Sequence, residues 1–495
     1  MAVGIYRVYF HPLAKIPGPK LAALTFWYEF YYEIYPHKFQ YLWKIKQLHE
    51  QYDTGPIIRI NPLQVHIHDP DYFDKIYASG ANHKRDRCSW FHHAGGKTLS
   101  GAMLEAMDHD LHRMRRNSVA HFFSKRSVHA LEPLVVQCVQ GLMDRFRGEL
   151  KNSGIVNLNY AYAAMTMDII SEYCFGESMK SLEREAYGKE WLDILHDAVQ
   201  MRPLGRQFPT LVNLLFDLPP DIVAKVSPAV EKMNAWNASL FERIERIMRY
   251  EDGGDEKKLQ QRTIFHEIRD DVGGKLPEEE KATLRLAAEG STFLGAGTET
   301  TSRTLAVATY YLVKEREVGE RLREELRGVL KSKDDRVSLP QLEALPYLTA
   351  VVNEGLRVAH GVSSRQPRIA TQEDLQYAQW TIPRGTPVAE SAYLLHTDPA
   401  IFPDPFAFRP ERWLEDHKLT RYLFAFGRGS RSCLGMNLAT SELYVGLAMI
   451  WRWFEMELYE TVEERDVLTT YDVFLGMTDL KSEGIKVRIT GEIED

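Results

Sequence analysis

One cysteine in this sequence stands where a metal-binding thiolate could be made. Residues 426 to 435 read Phe-Gly-Arg-Gly-Ser-Arg-Ser-Cys-Leu-Gly and run directly into an apolar helical stretch. Gly427, Gly429 and Gly435 let the backbone turn tightly and approach a flat partner, while the helix start after Cys433 offers amide hydrogens and a positive dipole end that favour the sulfur anion. Haem iron is the partner such a loop suits best. A lone cysteine is more often a small buried hydrophobe. Against that stand three glycines within nine residues and an arginine, Arg431, two positions upstream of the sulfur. The four cysteines (Cys88, Cys138, Cys174 and Cys433) form no C-x-x-C pair for zinc or redox chemistry.

A second candidate lies inside a long helical pattern, in Gly295-Ala296-Gly297-Thr298-Glu299-Thr300-Thr301. Glycine within a helix costs about 1 kcal/mol relative to alanine, so something must compensate. Helical spacing puts Ala296, Gly297 and the Thr300 hydroxyl on one face. That face could pass over a flat macrocycle where O2 binds, or serve close helix–helix packing. Further charges stand at Glu354 and Arg357, three residues apart, and at Arg412 in Phe408-Arg409-Pro410-Glu411-Arg412-Trp413. Taken alone, the first pair reads as a surface salt bridge of about 0.2 to 0.5 kcal/mol.

The elements that must position these groups are mostly helices. Leu131 to Leu150, Lys281 to Leu330 and Asn437 to Phe454 carry apolar residues at helical spacing with charges between them. Strand patterns are short: Ile57 to Ile60, Val65 to Ile67, around Val388, around Val473-Phe474, and Ile485 to Ile489. The expected fold class is mainly α with a small β region. A chain of 495 residues with 44% hydrophobic and 26% charged residues can bury a large core. No linker composition divides it, and the charge run Glu251 to Lys258 reads as a solvated loop. A net charge of -8 gives no basis for a nucleic-acid partner. The few, scattered cysteines fit a reducing compartment. Met1 to Phe10 holds a short apolar run broken by Arg7, less than the roughly 20 residues of a spanning helix. The prolines of His11 to Pro19 then predict a stiff, extended connector.

The loop spells F-x-x-G-x-R-x-C-x-G with Phe426, Gly429, Arg431, Cys433 and Gly435, and resembles the haem-binding signature of the cytochrome P-450 monooxygenases. Gly295 to Thr300 resembles that family's A/G-G-x-D/E-T segment, Glu354 to Arg357 its E-x-x-R, and Pro410 to Trp413 its P-E-R-F/W element. The resemblance runs over about residues 11 to 490. It implies haem b with Cys433 as axial thiolate, between the long oxygen-binding helix and the cysteine loop. Thr300 becomes the proton-donor site for bound dioxygen and Glu299 its relay, with Ala296 and Gly297 against the macrocycle. Phe426, Gly427 and Gly435 border it below. Glu354, Arg357 and Arg412 become a buried structural ion network, and His112, Arg116, Arg368 and Arg431 become partners of the haem propionates.

The family's electrons come from NADPH through a separate reductase, with cytochrome b5 as an alternative donor. Arg113 and Arg115, then expected to face outward, could form with Lys125, Arg126 and Arg428 a basic patch for that acidic partner; a solvated face is the plainer reading. Family pocket segments fall at about Cys88–Met107, Ala198–Leu215, Ala288–Ala296, Gly361–Arg365 and Leu475–Gly484, with Trp90, Phe91, Phe293, Val362 and Leu475 as wall candidates for an apolar small molecule. Runs such as 351–357, 393–405 and 437–444 are similar to the fungal trichodiene-oxygenase-like group, which implies oxygenation in terpenoid or other secondary-metabolite biosynthesis. His112 departs from a common tryptophan, and Tyr52-Asp53-Thr54-Gly55-Pro56 from a common Tyr-Gly-Pro. The expected organisation is a membrane-associated segment 1–16 without a full anchor and one haem domain, 17–495. The expected setting is a monomer on the cytosolic face of the endoplasmic reticulum. Two other readings stand: a haem-thiolate isomerase or dehydratase that consumes no O2, and a fatty-acid or xenobiotic hydroxylase; a non-catalytic haem protein fits least.

Overall fold

The computed structural model describes residues 1–52, 55–80, 82–92, 101–249, 263–271, 276–333 and 335–494. The charge run at 251–258, Asp53 and Thr54, and residues 93–100 of the first pocket segment lie outside the described residues. The main helices are α1 (Trp27–Glu33), α2 (Tyr41–Gln51), α3 (His109–Val119), α4 (Glu132–Leu150), α5 (Leu158–Phe175), α6 (Glu190–Gln200), α7 (Arg202–Gln207), α8 (Pro228–Arg249), α9 (Thr283–Lys314), α10 (Arg316–Arg327), α11 (Pro346–Ala359) and α12 (Met436–Trp453). The fold is mainly α, as the helical periodicity predicts.

Helices α4, α5, α9 and α12 pack on one another and carry the largest apolar core. Helix α5 is buried on nearly every side. Its ends are set locally: the Asn157 side chain accepts from the amides of Asn159 and Tyr160, and Gly176 closes it at φ 71°. The stretch expected to continue from Lys281 to Leu330 breaks at Glu315. The break lets α10 fold back so that Gly319 meets Trp451, whose Nε1 donates to the Gly319 carbonyl at 2.8 Å.

A five-stranded sheet stands to one side, built from β1 (Ile57–Arg59), β2 (Val65–Ile67), β3 (Arg85–Arg87), β4 (Arg368–Ala370) and β5 (Pro387–Ala389) in the order β1-β2-β5-β4-β3. Strands β3 and β4 run antiparallel, with Arg87 opposite Arg368. Neither showed apolar alternation, so neither was expected as a strand. A second sheet joins Ile155–Asn157, Lys486–Glu492 and Phe454–Leu458. Val473 and Phe474 form the bend between two short paired strands, Tyr471–Asp472 and Gly476–Met477, rather than a strand of their own. The connector 11–19 is also tighter than expected. Its amides at Ala14 and Ile16 close turns onto His11 and Leu13, because the Leu13 side chain buries into the core beside the sheet.

Candidate active site

Gly435 is the N-cap of α12, and the Cys433 amide donates to the Phe426 carbonyl at 2.8 Å, closing the loop on itself. Gly429 has φ 73°, and a Cβ there would collide with the carbonyl oxygens of Tyr77 and Ala78, so only glycine lets the loop dock. Phe424 stacks on Phe73 at 3.9 Å. The Cys433 sulfur opens onto a cavity of about 430 Å³ that both α9 and the loop line. Protein surrounds the sulfur beyond that cavity, and burial pushes the thiol up against the opposing pull of the Gly435 amide and Arg116. A cation bound in the cavity facing the sulfur would bring the thiol back down.

Across the cavity, Ala296 and Thr300 line the wall, and the Thr300 hydroxyl donates to the Ala296 carbonyl at 3.0 Å. Gly297 borders the same space, but a Cβ on it would come within 2.9 Å of Ile170 on α5; here the helix-packing reading holds. Glu299 is buried away from the cavity wall and meets His196 Nε2 of α6 at 3.1 Å. Burial acts to lower His196, yet the Glu299 carboxylate outweighs it and holds the imidazole above its ordinary value.

Glu354 and Arg357 are fully buried. Arg357 donates to both oxygens of Glu354, at 2.9 and 2.7 Å, and to the carbonyls of His396, Pro405 and Ala407. Arg412 Nε at 3.1 Å, Trp413 Nε1 at 3.0 Å and the Arg409 amide at 2.9 Å complete the same carboxylate. His396 links this network to the loop, its Nε2 accepting from the Phe424 amide at 2.9 Å.

A rim of bases lines the cavity. Arg116 donates to the Ser432 carbonyl at 2.8 Å, and burial lowers it while Cys433 acts upward. Arg368 reaches only the carbonyls of Gln366 and Pro367, with no carboxylate partner among the described residues. His112 is buried with Nδ1 unpartnered, and burial together with Arg431, Arg87, Arg116 and Arg368 pushes it down to about 2. Arg431 differs from the expectation: four contacts to the carbonyls of Arg85, Ala106, Met107 and Asp108 commit it to backbone. Burial, then Arg368, lowers it to about 9. Arg115 does not face outward. It grips Glu280 with two hydrogen bonds, at 2.7 and 2.9 Å, in a buried cluster with Arg285 and Glu289. Arg113, Lys125 and Arg126 are exposed, and Arg428 is half-buried.

Phe293, Val362 and Leu475 line the cavity; Trp90 and Phe91 do not. Trp90 stacks on Phe26 at 3.8 Å, and the guanidinium groups of Arg206 and Arg365 lie 4.3 and 5.1 Å from the Phe91 ring centroid. Leu211 and Leu214, within another expected pocket segment, are exposed. Among the basic residues of the cavity, sequence reasoning did not single out Arg87 and Arg202. The only local sign of the first was the alternating Arg85-Asp86-Arg87; the second lies within the expected pocket segment Ala198–Leu215, with nothing in the sequence to mark it there.

Compared with known proteins, residues 17–482 match the family described as Cytochrome P-450. The chain belongs to the cytochrome P-450 family. It is 40% identical over 514 residues to the cytochrome P-450 monooxygenase ucsK of an Acremonium species, covering 99% of this chain and 95% of that protein. It is 38% identical to tpcC of Cochliobolus heterostrophus, covering 98% and 94%, and 39% identical to TRI4 of Fusarium sporotrichioides, covering 92% and 86%, both also cytochrome P-450 monooxygenases. This P-450 is thus a monooxygenase of the fungal type, and its family carries haem on a cysteine thiolate and draws electrons from a redox partner. The described residues fit that group. Added Cβ atoms on Gly427 and Gly435 would enter open space, both glycines line the cavity, and the basic rim includes an orphaned buried imidazole nitrogen.

Proposed function

We propose that Cys433 is the haem ligand of this P-450 and that it hydroxylates or epoxidises an apolar small molecule of fungal secondary metabolism, of terpenoid or polyketide type. One observation carries the reading: the Cys433 sulfur and the Thr300 hydroxyl line the same cavity. Haem there supplies reductive activation of O2, one atom of which enters a C–H or C=C bond while the other leaves as water. Arg116, Arg368 and neutral His112 hold the two propionates, and Arg87, opposite Arg368 in the sheet, joins them. Phe426, Gly427 and Gly435 shape the floor; Ala296 leaves room above. Thr300 holds a transferable proton at its hydroxyl; Glu299, the relay proposed for it, lies off the cavity wall and is paired to a His196 that is 30% exposed, on the side from which solvent would supply protons. Glu354, Arg357 and Arg412 keep the loop in place.

The sequence carries no nicotinamide or flavin motif, which supports a separate NADPH-dependent reductase, with cytochrome b5 as a second donor. Arg113, Lys125, Arg126 and Arg428 are the residues offered to its acidic face. No helix among the described residues is long and apolar enough to cross a membrane. Exposed Tyr9, Phe10, Trp27, Leu211, Leu214 and Val226 support contact of 1–16 and the neighbouring 209–226 segment with the cytosolic face of the endoplasmic reticulum, the haem domain spanning 17–495 as a monomer. The similarity to the trichodiene-oxygenase-like group supports the substrate class. The deciding test is a carbon monoxide difference spectrum of the reduced protein, followed by oxygen uptake with NADPH and a reductase. Absence of the red-shifted thiolate band overturns the ligand assignment; a band without oxygen uptake on any terpenoid or polyketide substrate overturns the proposed activity.

A further inference from the structure

The cavity has a polar corner that the haem-binding residues leave unexplained. Arg202, at the start of α7, borders the cavity with a side chain only 9% exposed. Among the described residues it has one hydrogen bond, from Nη2 to Glu105 Oε1 at 3.5 Å, the far limit of such a contact. Its Nε and Nη1 have no partner among the described residues. The guanidinium lies over the Phe474 ring, 4.8 Å from its centroid. Phe474 has φ 100°, a conformation a bulky side chain adopts only when its surroundings impose it. Here the amides of Ser363 and Ser364 donate to its carbonyl and hold it there. The cation is thus placed by a strained residue and left incompletely paired.

Charge counting points the same way. Among the described residues Glu105 is the one carboxylate paired with Arg202, and it also faces His92 Nδ1 at 3.8 Å. Arg87 stands behind, its Nη1 on His92 and its Nε unpartnered. Burial and the arginines around it keep His92 neutral. With Arg87 turned to the propionates, Arg202 is the guanidinium at this end of the cavity whose sole carboxylate among the described residues is the loosely held Glu105. Much of the remaining wall is apolar, including Trp191, Leu195, Trp236, Phe293 and Leu475. A buried guanidinium with unused donors is costly until an anion completes it. A carboxylate is the small anion whose two oxygens match its fork.

We propose that Arg202 anchors a carboxylate of the substrate, so that the molecule oxidised is an apolar body bearing one acid group. The proposal rests on the monooxygenase reading and adds the head group by which the substrate is recognised.

The test titrates the full-length holoprotein with laurate and abietate, each beside its methyl ester, and follows the substrate-induced shift of the Soret band. Each acid is expected to bind at least about tenfold more tightly than its ester. Arg202→Gln should erase that ratio while leaving the ester constants within about twofold and the carbon monoxide band unchanged. Glu105→Gln, which removes the competing carboxylate, should tighten acid binding and not ester binding. A ratio near one in the natural protein, a ratio that survives Arg202→Gln, no shift with either acid, or weaker acid binding in Glu105→Gln each overturns the proposal. A natural protein without the thiolate band fails the monooxygenase reading instead, a separate result.

Discussion

Buried arginines occur here in two opposite settings. Behind the cysteine loop, Arg357 and Arg412 close on Glu354, and every oxygen and nearly every donor has a partner. Around the cavity, Arg87, Arg368 and Arg202 are comparably buried yet meet few carbonyls, one neutral imidazole and one loosely held carboxylate. The first set is complete without a ligand. The second is complete only with one. Saturation, rather than burial or charge, is what separates an arginine that holds the fold from one that waits for an anion.

The largest effect is expected where both settings converge. Cys433→Ala should lose the thiolate band and all turnover, read from the carbon monoxide spectrum and product formation. On the saturated side, Glu354→Gln leaves two guanidinium groups uncompensated. It should cost about 3 to 5 kcal/mol, measured by denaturant unfolding; a loss under about 1 kcal/mol would collapse the distinction. Arg368→Met probes the other side. Without haem its unfolding midpoint should stay level or rise, because a buried unpaired cation is gone, while haem dissociation should quicken about tenfold. A lowered midpoint before haem is added would count against an unsaturated rim.

Thr300→Ala should keep the band and release severalfold more peroxide per product, since the hydroxyl on the cavity wall is lost; unchanged coupling removes it from proton supply. The smallest change is at His196. Its native value is raised, so its ion pair with Glu299 adds stability fully present below pH 6.5 and lost as pH climbs through the raised value. His196→Gln should therefore remove about 1 kcal/mol or less at pH 6 and nothing at pH 9, compared by unfolding midpoints.

What the sequence made legible was whatever lies within one short stretch of chain. The cysteine loop, the Glu354–Arg357 spacing and Arg412 could be read because each sits in a compact pattern, and the structure brings them together through His396 and Phe424. Long amphipathic helices were legible for the same reason. Arg87 and Arg202 were not, because their meaning comes from neighbours far along the chain: Arg368 across a three-residue strand pair, Phe474 beneath a guanidinium. Gly297 borders the cavity as the resemblance implies, but the reason for a glycine there is also far away in sequence, because a Cβ would meet Ile170 of another helix. The break at Glu315 was hidden too, since the apolar spacing continues through it, while the contact that accompanies the turn, Gly319 against Trp451, joins distant parts of the chain.

Gly429 has a consequence for the history of this molecule. Every coding change away from glycine adds a Cβ, and here that atom has nowhere to go but into the backbone of Tyr77 and Ala78. No side-chain repacking relieves it, because the obstacle is main chain. The position is closed to drift by the protein's own backbone, whereas at Gly427 and Gly435 an added Cβ would enter the cavity itself, and at Gly427 it would also meet a φ of 63°. Lineages descended from this sequence can therefore exchange residues along the cavity wall and change what they oxidise, while the seam joining the sulfur-bearing loop to the sheet side must be inherited intact.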